Sequence, residues 1–64
     1  MIFTKIGYYL TSERDGIKFK IEYLGKENEK DTFQIIIEKD GKKKEIYPYH
    51  SLELAKLDCE NLSI

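Results

Sequence analysis

The chain has 64 residues, 36% of them charged, with a formal net charge of −1. That length gives one domain spanning residues 1–64, whose core buries only about 60% of the unfolded surface. Balanced charge excludes a single-sign field drawing the protein to nucleic acid or anionic membrane, and Cys59, the lone cysteine, excludes an internal disulfide.

The first predicted strand runs from Ile2 to Leu10. Alternation puts Ile2, Thr4, Ile6, Tyr8 and Leu10 on one face and Phe3, Lys5, Gly7 and Tyr9 on the other. Gly7 inside it predicts a bulge or a close backbone approach. Thr11 to Gly16 reads as a polar turn ending in the turn pair Asp15-Gly16. Ile17 to Leu24 is the cleanest strand: Ile17, Phe19, Ile21 and Tyr23 alternate with Lys18, Lys20, Glu22 and Leu24, so one face is buried and the other wet. Gly25 to Asp31 then predicts a charged, mobile loop.

Phe33 to Tyr47 organises the rest. Asp40-Gly41 predicts a type I′ hairpin turn. Its register sets Lys39 against Lys42, Glu38 against Lys43, Ile36 against Glu45 and Ile35 against Ile46, with Phe33, Ile35, Ile37 and Ile46 on the core side. Pro48 ends this fourth strand by removing a ladder donor. Ser51 to Leu62 is the one predicted helix, with Ser51 as N-cap and Glu53 suited to the first turn. At about 100° per residue, Leu52, Ala55, Cys59 and Leu62 share one stripe, and Leu54 and Leu57, with Asn61 and Ile64, form a second. The predicted fold is α+β: a four-stranded antiparallel sheet (β-β-β-β-α) with one C-terminal helix packed on one face.

No catalytic or metal-binding constellation emerges. One His and one Cys fall short of the roughly four ligands of structural zinc. His50 lacks a nucleophile, because adjacent Ser51 is assigned to capping, and Cys59 is expected as a buried, unreactive thiol. No cofactor and no enzymatic activity are expected. With no membrane span and no signal-peptide pattern, the expected location is cytoplasmic.

Binding features are more distinct. The second helical stripe, Leu54 and Leu57, suits a protein interface or a homodimer. Five tyrosines fit such a surface: Tyr8 and Tyr23 are expected in the core, while Tyr9, sharing its face with Phe3, and Tyr47 are the exposed candidates. Glu53, Asp58 and Glu60 complete the predicted interface, and with Glu27, Glu29 and Asp31 offer carboxylates that mimic phosphate toward a basic target. The alternative is a nucleic-acid face of Lys18, Lys20, Lys42, Lys43 and Lys44. Glu38, Asp40 and Glu45 dilute it, and lysines at hairpin tips also deter edge aggregation. A structural or assembly protein is a third class.

Ten Lys to one Arg, nine Ile and no Val fit an A/T-rich genome, as in a low-G+C bacterium or its phage. The segment from Lys42, with Ser51-Leu52-Glu53-Leu54-Ala55-Lys56 opening its helix, resembles the end of small phage-encoded sheet-plus-helix proteins, among them anti-CRISPR and other anti-defence inhibitors. That resemblance implies a phage or mobile-element inhibitor that binds and blocks a host or defence-system protein. The lysine-bearing strands and C-terminal helix also resemble the arm-site DNA-binding domains of tyrosine integrases, which implies a sheet inserted into a DNA groove through Lys18, Lys20 and Lys42–Lys44. The missing arginines and the acidic 27–31 segment depart from that pattern.

Overall fold

Turn chemistry lays out the sheet. The computed structural model, which describes residues 2–62, has five strands, β1 (Thr4–Ile6), β2 (Tyr9–Arg14), β3 (Ile17–Glu27), β4 (Lys30–Lys39) and β5 (Lys42–Tyr49), then one helix, α1 (Leu52–Asn61). The strands lie in chain order in one antiparallel sheet, joined by two-residue turns. At Asp40-Gly41 and Asp15-Gly16 both turn residues have positive φ, between 52° and 77°, as a type I′ turn requires. Asn28-Glu29 does the same at 52° and 65°. The β4–β5 register pairs Lys39 with Lys42, Glu38 with Lys43, Ile36 with Glu45 and Ile35 with Ile46, as its turn predicts.

The α+β class and the C-terminal helix agree with the sequence reading, but the sheet has five strands rather than four. The predicted first strand is cut at Gly7, which takes a φ of 60° at the first central position of a Gly7-Tyr8 turn, the pattern of type II′. The reversal inverts the expected faces. Phe3 packs against the core rather than sharing a face with Tyr9, and Tyr8 sits at the turn. The predicted polar turn from Thr11 is mostly strand, because β2 pairs on both sides, with β1 and β3, and pairing overrides weak strand propensity. The predicted 25–31 loop is a hairpin, with Glu27 facing Lys30. Strand β5 continues through Pro48, preceded by a cis peptide bond; an edge strand tolerates the lost donor.

Core side chains come from one face of β3 and β4 and one stripe of α1: Ile17, Phe19, Ile21, Ile35, Ile37, Ala55 and Cys59. Ser51 caps the helix, its Oγ accepting from the Leu54 N–H at 3.3 Å. The other end is held from across the molecule. Arg14, on β2, donates to the carbonyls of Glu60 and Leu62 (2.6 Å to the latter) while its guanidinium lies 5.3 Å from the Phe19 ring centroid. The last turn of α1 has no basic residue of its own, so Arg14 supplies the positive charge that its exposed carbonyls favour.

Dimensions decide what the helix leaves open. Ten helical residues rise about 15 Å, whereas the eleven residues of β3 extend about 36 Å, matching the 35 Å long axis of the molecule. Helix α1 packs on β3, β4 and β5. The sheet therefore keeps an uncovered end around β1 and β2.

Candidate functional site

The first candidate surface is the solvent side of α1. Ala55 and Cys59 turn inward and are buried, which leaves Leu54 and Leu57 outward at 55% and 51% exposure. Glu53 and Glu60 flank them on the same side of the helix, both exposed. Ile64, predicted as part of this stripe, lies outside the described residues. Asp58 faces the other way: Tyr49 Oη donates to its Oδ2 at 2.7 Å. Burial, and then this bond, push the Tyr49 hydroxyl up to about 12.

The predicted interface does not form one surface. Tyr9 lies on the open face of the sheet, opposite Glu22, with Lys20 Nζ 5.8 Å from its ring centroid. Tyr47, on β5, reaches across β4 so that its hydroxyl donates to Glu27 on β3. Leu54 and Leu57 belong to the helix on the opposite side. Tyr8 and Tyr23, expected in the core, are exposed, Tyr8 at 85%. Tyr8 sits in a turn, and Tyr23 lies where the helix no longer covers the sheet, its hydroxyl donating to Asp31 Oδ1 at 2.9 Å. Both carboxylate bonds raise the hydroxyl pKa, at Tyr23 and at Tyr47. Three of the six predicted phosphate-mimicking carboxylates, Glu27, Asp31 and Asp58, thus accept tyrosine hydroxyls.

Strand alternation divides the predicted basic face. Lys18, Lys20 and Lys43 share the open face with Glu13, Glu22 and Glu38, whereas Lys44, opposite Ile37, and Lys42, opposite Lys39, point to the helix side. On the open face Lys20 and Lys43 converge on Glu38 Oε1, at 3.7 and 3.8 Å. The single arginine is held at the end of α1. Charge on this face is mixed, and two of its three predicted lysines meet Glu38.

Two features escaped the sequence reading. One is a cleft of about 380 Å³ on the helix side of the uncovered end, lined by Lys5, Tyr8, Leu10, Tyr23, Phe33 and Leu52 among others. The other is the free edge of β1, where Ile2 and Ile6 are 87% and 60% exposed. The legible signal for both was Gly7, a first-position glycine for a two-residue turn.

Chemistry-bearing groups are few. His50 Nδ1 lies 3.2 Å from the Asp31 carbonyl oxygen, and Ser51 Oγ is engaged by the Leu54 N–H. Burial, followed by the nearby Asp58 charge, pushes the Cys59 thiol up to about 11, with Arg14 acting in the opposite sense. Among the described residues no group of three or more His, Cys, Asp or Glu is placed to hold a metal ion, and no helix is long and apolar enough to cross a membrane. Comparison with known proteins finds no matching family, curated protein or solved structure.

Proposed function

We propose that this protein is a non-enzymatic interaction module that lays the outer row of α1 into a groove on a partner protein. The supporting observation is the pair Leu54 and Leu57, more than half exposed on a helix whose opposite stripe holds the core. An i, i+3 apolar pair is the anchor spacing of helix-in-groove recognition. Glu53 and Glu60 beside it favour a groove with a basic rim, since complementary charge steers encounter and fixes register. Blocking a host or defence-system protein is the form of this activity implied by the resemblance of the 42–62 segment. The mixed charges of the open sheet face, with Lys20 and Lys43 drawn to Glu38, favour this reading over nucleic-acid binding.

The test pairs two double variants. Leu54→Glu with Leu57→Glu abolishes capture of the partner from lysate of the source cell while the circular dichroism spectrum is kept. Lys18→Glu with Lys43→Glu leaves capture intact. The reverse pattern, together with salt-sensitive binding of a short DNA duplex, overturns the proposal.

A further inference from the structure

The two edges of the sheet are not alike. Strand β5 carries Lys42, Lys43, Lys44 and Pro48 and a register irregularity opposite the Phe33–Ile35 stretch. Lysine, proline and bulges are among the devices that keep an edge from pairing, as is shortness, and β1, at three residues, relies on the last. Strand β1 has one charge, Lys5, and its side chains are exposed throughout. Ile2 is held alongside β2, its carbonyl accepting from Ser12 Oγ at 2.8 Å, so the edge stays in place beyond Thr4.

Backbone alternation fixes which groups this edge presents. Ile6 and Tyr9 flank a two-residue turn and exchange backbone hydrogen bonds across it, so Thr4 also bonds toward β2. The N–H and C=O of Phe3 and Lys5 then point away from the sheet. An antiparallel second copy can meet them in three two-fold registers, centred on Phe3, Thr4 or Lys5. Centring on Lys5 sets two like charges face to face, which is destabilising. Centring on Phe3 sets Ile2 against Thr4 of the other copy, an apolar side chain against a polar one. Centring on Thr4 sets Phe3 against Lys5 of the other copy, satisfying four backbone groups on each chain. It also sets Ile2 against Ile6 of the other copy, twice, on the open face, and joins the two threonines at the axis.

We infer that β1 is a self-association edge, pairing antiparallel with β1 of a second copy about a two-fold axis at Thr4 to form a ten-stranded sheet. The contact is short, below the roughly 1,200 Å² of a standard interface, so the dimer is weak and depends on concentration. It uses none of the helix residues of the proposed partner surface, so either can fail without the other.

Sedimentation equilibrium over a concentration series gives a reversible monomer–dimer transition that the Leu54→Glu/Leu57→Glu variant retains. Lys5→Pro removes an outward donor from each copy and spares the β1–β2 ladder; it weakens association by about tenfold or more. Thr4→Cys reports the register. Cα atoms of a non-hydrogen-bonded pair lie about 4.5 Å apart, within disulfide range, so mild oxidation gives a covalent dimer while a Lys18→Cys control does not. A protein that stays monomeric to millimolar concentration, a dimer lost on changing Leu54 and Leu57, or Thr4→Cys crosslinking no better than Lys18→Cys overturns the inference.

Discussion

One end of the sheet lies under the helix and the other does not, and the two ends use similar residues differently. At the covered end Phe19 and Ile35 are completely buried against Ala55 and Cys59, and Arg14 fastens the helix C-terminus to β2. At the open end Tyr8 and Tyr23 are as large but lie exposed, and Ile2 and Ile6 are exposed on the face turned away from the helix. Apolar character alone does not make a core. Among the described residues one ten-residue helix covers the sheet, and stability concentrates where it lies.

The largest effects should fall at the covered end. Phe19→Ala removes a fully buried ring and costs about 3–5 kcal/mol, enough to unfold a domain this small in a urea titration. Tyr8→Ala, at the open end, should move the urea midpoint by less than about 0.5 kcal/mol in stability terms. Comparable losses from the two would erase the distinction. Arg14→Ala comes next, at about 1–2 kcal/mol for part-exposed charge-assisted bonds, read as a lower melting temperature. Arg14→Lys should not restore it, since one ammonium cannot reproduce a planar fork that reaches two carbonyls while stacked on Phe19.

Tyr49→Phe is smaller, about 1 kcal/mol for one hydrogen bond, and it has a pH signature. The folded hydroxyl titrates near 12 against 10 when unfolded. Its stabilisation is therefore full below pH 10 and is lost as pH rises toward 12, because the unfolded chain gives up the proton first. Cys59, pushed from 9 to about 11, adds a loss of the same sign starting about one unit lower. Urea titrations between pH 8 and 11.5 should show stability falling with pH, and less steeply in the Tyr49→Phe variant. Leu54→Glu with Leu57→Glu should have the smallest effect, within about 0.5 kcal/mol, because both side chains already face water.

Much of the covered end was legible in the sequence. Strict alternation from Ile17 to Tyr23, the Asp40-Gly41 pair and the Ser51 cap each carry a local signal that tertiary packing reinforces. The open end was legible only in fragments. The apolar run continuing past Gly7 suggests a bulge or a close backbone approach rather than a turn, and Thr11 to Arg14 look like a turn because their strand state comes from neighbours on both sides. Asn28-Glu29 hides a hairpin turn without the usual glycine. The sequence places Tyr9, Tyr47, Leu54 and Leu57 on strands or helix as the structure does, but it sets Glu27 and Asp31 in a loop where the structure has strands, and it does not show which candidates share a surface. Whether Tyr9 and Leu54 share a surface depends on which sheet face the helix covers, and nothing in the local pattern states that for a face carrying both tyrosine and lysine.

The most direct test of the proposed function places a photo-crosslinking residue at position 57, in the centre of the outer helical row, and a matched one at position 43 on the open sheet face. After irradiation in lysate of the source cell, position 57 should yield one discrete protein adduct and position 43 none. A nucleic-acid adduct at position 43 with nothing at position 57 would contradict the assignment and move the function to the sheet.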